Sequence, residues 1–138
     1  MSSLARIAPL LAALAFAGCA QQPTSTSDFK GAEADVAKVV EDLQADATGR
    51  KPGEICTKVL SRELADKLKT AGNDCTSEME KITTDADDFE LEVTDVTITG
   101  DTATAKVKAR RGKDKDGTTT FTLVKEGGDW RLSDLGAS

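Results

Sequence analysis

The chain has no histidine and no tyrosine, and only one tryptophan and four phenylalanines among its 138 residues. Without histidine it has no side chain whose ordinary pKa lies near neutrality, so the usual general base and the imidazole metal ligand are both missing. Without tyrosine, one common oxyanion donor is missing too. Two cysteines without histidine, the pair left once Cys19 is set aside, do not make up a zinc site, and no cofactor is expected. Basic charge is in the minority: 18 Lys and Arg face 24 Asp and Glu, a net charge of -6. Phosphate contacts need Lys and Arg, so nucleic acid is not an expected partner. The acid excess suits a soluble domain. A long apolar run is missing as well. The stretch Ile7 to Ala17, broken by Pro9, is too short to span about 30 Å of hydrocarbon.

That stretch has another use. It follows Arg6 and the initiator amine and ends in Leu14-Ala15-Phe16-Ala17-Gly18-Cys19. The short apolar run with small residues before the cut has the form of a secretory signal, and the ending is similar to a bacterial lipobox. Phe16 departs from the usual Leu, Val or Ile at its position. The reading is a lipoprotein signal over residues 1–18, with Cys19 acylated as the first residue of the mature chain. A plain secretory signal cut elsewhere is the alternative. A diacylglyceryl thioether supplies two chains, which stable anchoring requires. Residues 19–27, rich in Gln, Pro, Ser and Thr, offer little apolar surface to bury and read as a disordered tether. Residues 28–138 form one domain around one core. The expected location is the cell envelope, on the extracytoplasmic face of the membrane.

With Cys19 given to lipid, Cys56 and Cys75 remain. Export places them in an oxidising space, where a structural disulfide persists. A reactive thiol pair is the alternative, but it lacks Cys-x-x-Cys spacing and a histidine to lower a thiol pKa.

The first half reads as helical. Phe29, Ala32, Val36, Val39, Val40, Leu43 and Ala47 recur at three- and four-residue steps, which gives a helix over 28–48 capped by Ser27 or Asp28 and ended by Gly49. A second unit carries Ile55, Val59, Leu60, Leu64 and Leu68, with Ser61 able to cap a fresh turn inside it and Gly72 as its stop. A third helix starts near Asp74 and places Cys75, Met79 and Ile82 on one side. The period then changes to two. Phe89, Leu91 and Val93 alternate with acids, and Val96 and Ile98 continue in the opposite parity, so a bulge is expected at Thr94-Asp95. Gly100-Asp101 signals a hairpin. Ala103, Ala105, Val107 and Ala109 share one strand face, Thr119, Phe121 and Leu123 define a third strand, and Trp130 and Leu132 a fourth after Gly127-Gly128. The expected fold class is α+β, with three N-terminal helices packed on one face of a four-stranded antiparallel sheet.

Candidate sites are few. Asp114-Lys115-Asp116-Gly117 has the look of a calcium loop, but Gly112 and Leu123 stand where acids are required, so a polar turn is expected. Asp85, Asp87 and Asp88 read as a solvated acidic linker. Lys106, Lys108 and Arg110 alternate along one strand face, with Arg111 beside them; cross-strand partners such as Glu90 and Glu92 make this a solvated outer face. Phe121, Trp130 and Asp95 are the candidates for a pocket, with a filled core as the competing reading for the two aromatics.

Several segments carry a resemblance: the lipobox ending in Cys19, Cys56-x-x-x-Leu60-Ser61-x-Glu63-Leu64, Ala71-Gly72-Asn73-Asp74-Cys75, Val93-Thr94-Asp95-Val96, Gly100-Asp101-Thr102-Ala103, and Gly128-Asp129-Trp130-Arg131-Leu132. In this order they resemble small envelope lipoproteins of high-GC Gram-positive bacteria with an NTF2-like (SnoaL-type) cone domain. The resemblance implies a curved sheet enclosing a cone. The wider fold includes isomerases and epoxide hydrolases. The isomerase set needs tyrosine, which the chain does not have, and the hydrolase set would fall on Asp95, Arg110 and Arg131. The expected function is that of a lipid-anchored, non-catalytic domain that binds a protein or small ligand. The alternative is an NTF2-like enzyme with an acidic residue such as Asp95 in the cone pocket.

Overall fold

The structure, a computed structural model, describes residues 28–70, 74–84, 86, 89–112 and 116–136. The signal segment, the tether with Cys19, the Gly72 stop, Asp85, Asp87, Asp88 and the Asp114-Lys115 turn lie outside the described residues.

Helix α1 runs Ala32–Thr48 and buries Val36, Ala37, Val40, Leu43 and Ala47, the stripe its spacing dictates. It starts later than the sequence suggests. Its N-cap is Gly31 at φ 59°, with no side-chain cap bond, so Asp28 does not cap it. Gly31 makes the entry turn instead, because a residue without Cβ tolerates positive φ. Gly49 closes the helix, its amide bonded to the carbonyl of Ala45 at 2.9 Å.

The expected second helix is split, so the described residues hold four α-helices rather than three. A short α2, Pro52–Glu54, with proline at its start as favoured, widens into a π-helical turn, Ile55–Val59. The Leu60 amide bonds back to the Ile55 carbonyl, five residues earlier, at 2.9 Å. Leu60 then becomes extended (φ -79°, ψ 147°), and α3 follows over Arg62–Thr70. Ser61 caps α3, its hydroxyl accepting from the Leu64 amide at 3.2 Å. Helix α4, Cys75–Thr83, is capped by Asp74, whose carboxylate accepts from the Ser77 amide. Cys75 and Met79 are buried as expected, but Ile82 is 55% exposed and Thr83 turns inward in its place.

Four strands follow in order: β1 Phe89–Thr99, β2 Thr102–Arg111, β3 Gly117–Glu126 and β4 Asp129–Asp134. They form one antiparallel sheet in the order β1-β2-β3-β4. The register slips between Val93 and Asp95, so Thr94 is the extra residue and Leu91, Val93 and Val96 all face the core. The hairpin after Gly127 has φ values of 61° and 94° at its two glycines, the doubly positive turn that matches the strand twist.

The helices cover one face of the sheet. Ala103, Ala105, Val107, Phe121, Leu123, Trp130 and Leu132 are buried there against Val36, Val40, Ile55 and Val59. The side-chain amide of Gln44 on α1 accepts from the Leu91 amide at 2.6 Å and so ties the helix to edge strand β1. Cys56 and Cys75 form a disulfide, with Cα atoms 6.1 Å apart and a sequence separation of 19, joining the π-helical turn to α4. A loop of this size stabilises by about 3 kcal/mol in the chain-entropy model. Urea denaturation of Cys56→Ser/Cys75→Ser is expected to show a loss near that value. Leu132 is fully buried. Leu132→Ala is expected to cost about 2–5 kcal/mol, read as a lower urea midpoint at unchanged m.

Candidate functional site

The most constructed part of the surface lies where the π-helical turn meets β4. The extended Leu60 forms a parallel bridge with Leu132, and the Ser61 amide donates to the Leu132 carbonyl at 2.7 Å. In a continuing helix that amide would have gone to the Thr57 carbonyl. The Thr57 carbonyl accepts instead from Arg131 Nη1 at 3.0 Å. The next amide, that of Arg62, is also diverted and donates to the Glu126 carboxylate at 3.2 and 3.4 Å.

A groove of about 440 Å³ opens at this junction. Its apolar floor is Cys56, Leu60 and Ala65, and Arg62, Asp66, Lys69, Glu126 and Arg131 line it. Arg62, Asp66 and Lys69 sit at helical steps of four and three, so one face of α3 forms a wall. Asp66 is paired with Lys69 at 3.0 Å, and Glu126 is engaged by the Arg62 amide. Among the described residues, no carboxylate forms an ion pair with Arg62 or Arg131.

A second groove, about 390 Å³, lies between α1 and the β3–β4 hairpin and includes Lys38, Asp42, Lys58, Lys125, Trp130 and Arg131. Each of its lysines has a partner. Lys38 pairs with Asp42 at 2.7 Å, Lys58 pairs with Glu54, and Lys125 lies 5.4 Å from the Trp130 ring centroid, within cation–π range. Pairing with Lys58 lowers the Glu54 pKa and raises that of Lys58.

The candidate pocket residues are not brought together. Phe121 and Trp130 are 5% and 6% exposed and belong to the core, though an edge of Trp130 reaches the second groove. Asp95 lies on the other face of the sheet. It opposes Lys106, whereas the adjacent Ala105 opposes Phe121, and neighbouring strand residues point to opposite faces. Asp95 pairs with Lys106 at 3.7 Å. Arg110 pairs with Glu90 and Asp116 at 3.4 and 3.1 Å. Asp95, Arg110 and Arg131 thus serve three separate sets of partners. Along the basic stripe, Arg110 meets Glu90 and Lys108 stands opposite Glu92, as the alternation requires. The Thr57–Arg131 contact had no sequence signal, because it depends on a carbonyl freed by a tertiary bridge.

The model for the C-terminal domain of low molecular weight antigen MTB12 matches residues 60–137, more than half of the chain. The chain belongs to this family. The MTB12 family comprises bacterial secreted or envelope proteins. Neither the curated proteins nor the solved structures return a match. No helix among the described residues is long and apolar enough to cross a membrane. The groove walls from α3 and the β3–β4 hairpin fall within the MTB12-matched segment, whereas Cys56 and Thr57 precede it.

Asp74 positions α4, and with it the half of the disulfide beyond the groove. Hydrogen bonds from the Ser77 amide and hydroxyl hold its pKa below the usual aspartate value. A depressed folded pKa gives stability that is present above the unfolded value, about 3.9, and is lost as pH falls through the folded value. Asp74→Ala is therefore expected to lower the urea midpoint at pH 7, with the gap to wild type closing once pH drops below the folded pKa. Asp74→Asn, which keeps a capping oxygen but no carboxylate, should fall between wild type and Asp74→Ala at pH 7, and its offset from Asp74→Ala should not change with pH.

Proposed function

We propose that the protein is a lipid-anchored, non-catalytic binding domain of the bacterial envelope, with Cys19 as its lipid attachment site. One observation carries the non-catalytic half: the face of the sheet that would line a reaction chamber is filled. Phe121, Leu123 and Leu132 meet Val36, Val40 and Ile55 there, while Asp95, the acid an enzymatic reading would place inside, lies on the solvent side beside Lys106. No buried side-chain nitrogen or oxygen among the described residues is left without a partner.

The order of elements, helices first and then a four-stranded meander, supports reading the domain as a closed form of the NTF2-like cone. The short apolar run ending in Leu14-Ala15-Phe16-Ala17-Gly18-Cys19 supports the anchor. Residues 19–27 then act as the tether that holds the acidic domain off the lipid surface.

The anchor is tested by metabolic labelling with an alkyne fatty acid, together with mass spectrometry of the mature N-terminus. Incorporation that disappears in Cys19→Ser is expected; an unmodified amine at the mature N-terminus would rule the anchor out. The binding role is tested by cross-linking capture with the intact lipidated protein. A saturable, competable partner is expected, and turnover of an ester or epoxide panel with no such partner would overturn the reading.

A further inference from the structure

We propose that the groove between α3 and the β3–β4 hairpin is a binding site for a small amphiphilic oxyanion, a carboxylate or phosphate head on a short apolar body. This deepens the binding-domain reading and rests on it. The argument starts from Arg131. A guanidinium carries five N–H donors, and Arg131 uses Nη1 on the Thr57 carbonyl. That bond holds one end of the guanidinium, and among the described residues the side chain makes no other hydrogen bond or ion pair. Arg62, on α3, lines the same groove. Of the acids nearby, Asp66 is paired with Lys69 and Glu126 accepts from the Arg62 amide, so Arg62, Lys69 and Arg131 against two acids leave the lining with one excess positive charge. Among the described residues neither arginine of this groove forms an ion pair with a carboxylate, and arginine's planar fork matches an oxyanion in a bidentate manner.

The remainder of the groove sets the body of the ligand. Leu60 and Ala65, 3% and 9% exposed, form the floor with Cys56. A volume of about 440 Å³ lies within the ordinary range for small-ligand sites, about 300–1,000 Å³. The second groove lacks this combination, because its lysines are paired or held over Trp130.

The test is an NMR titration of the domain at constant ionic strength with hexanoate, hexyl phosphate and hexanol. The shifts are followed at the Thr57, Ser61 and Arg62 amides and at the Nε–H groups of Arg62 and Arg131. Saturable shifts with one or both acids and not with hexanol are expected, and the tighter acid identifies the head group. Arg62→Gln/Arg131→Lys, which keeps a donor for the Thr57 carbonyl, should weaken binding about tenfold or more, with thermal unfolding reporting that the fold is intact. If the double variant is unstable, Arg62→Gln alone should weaken binding in the same direction. Absence of saturable shifts with both acids, equal binding of hexanol, or undiminished binding by the variants would overturn the assignment. If the acids fail while the lipidated protein still captures a competable partner, only the oxyanion site falls; if capture also fails, the binding-domain reading falls with it.

Discussion

The backbone bridge between Leu60 and Leu132 is the constraint on which the surrounding structure depends. A helix carrying Ile55, Val59, Leu60 and Leu64 has every local reason to continue. It stops because the Ser61 amide is worth more on β4, where it satisfies the Leu132 carbonyl at 2.7 Å and covers what would otherwise be an open sheet edge. Three consequences follow from that one hydrogen bond. Ser61 becomes the cap of α3, the Arg62 amide turns to Glu126, and the Thr57 carbonyl is released to Arg131. The disulfide reinforces the arrangement from the other side by fixing the preceding π-helical turn to α4.

The interior is arranged by size. The core face of β2 carries Ala103 and Ala105 beside Val107, while its neighbours carry Leu91, Val93 and Val96 on one side and Phe121 and Leu123 on the other. Small residues on an inner strand leave room for the large ones flanking them, and α1 answers with Val36, Ala37 and Val40. Interiors pack to crystal-like density, so this complementarity leaves little space for a chamber. The single tryptophan and the phenylalanine at 121 are consumed in the same way.

Much of this order can be read in the residues themselves. The change of period after the third helix, the parity slip at Thr94 and the glycine-bearing turns specify the sheet, because each is a local consequence of side-chain geometry. The pairing of Cys56 with Cys75 is legible through the reading that gives Cys19 to lipid and exports the domain, which leaves these two thiols together in an oxidising space. What is not legible depends on contacts distant in sequence. The apolar spacing across Leu60 and Ser61 is equally good for one helix or for two, and only the position of Leu132 decides. Ile82 fits the α4 stripe, yet the covering layer ends before it and Thr83 takes the inward place. Asp95 has the chemistry of a pocket acid, but the bulge beside it leaves it on the solvent face. The groove is hidden for the same reason: no pattern in the chain announces that Arg131 will find a carbonyl 74 residues earlier.

The family-matched segment and the folding unit are not the same length of chain. Residues 60–137 contain the sheet, α3 and α4, but not α1, α2 or the π-helical turn. Val36, Val40 and Ile55 lie in the omitted part and are fully buried. Without them the apolar face of Leu123, Leu132 and Val107 would meet water, at about 25 cal/mol for each Å² exposed. Cys75 would lose its partner, and Arg131 would lose the Thr57 carbonyl that orients it. The sheet segment therefore carries most of the groove wall, while the helical segment before it carries the floor residue Cys56 and the acceptor that fixes the guanidinium. Neither part holds the groove alone, so the site belongs to the junction between the two halves of the domain.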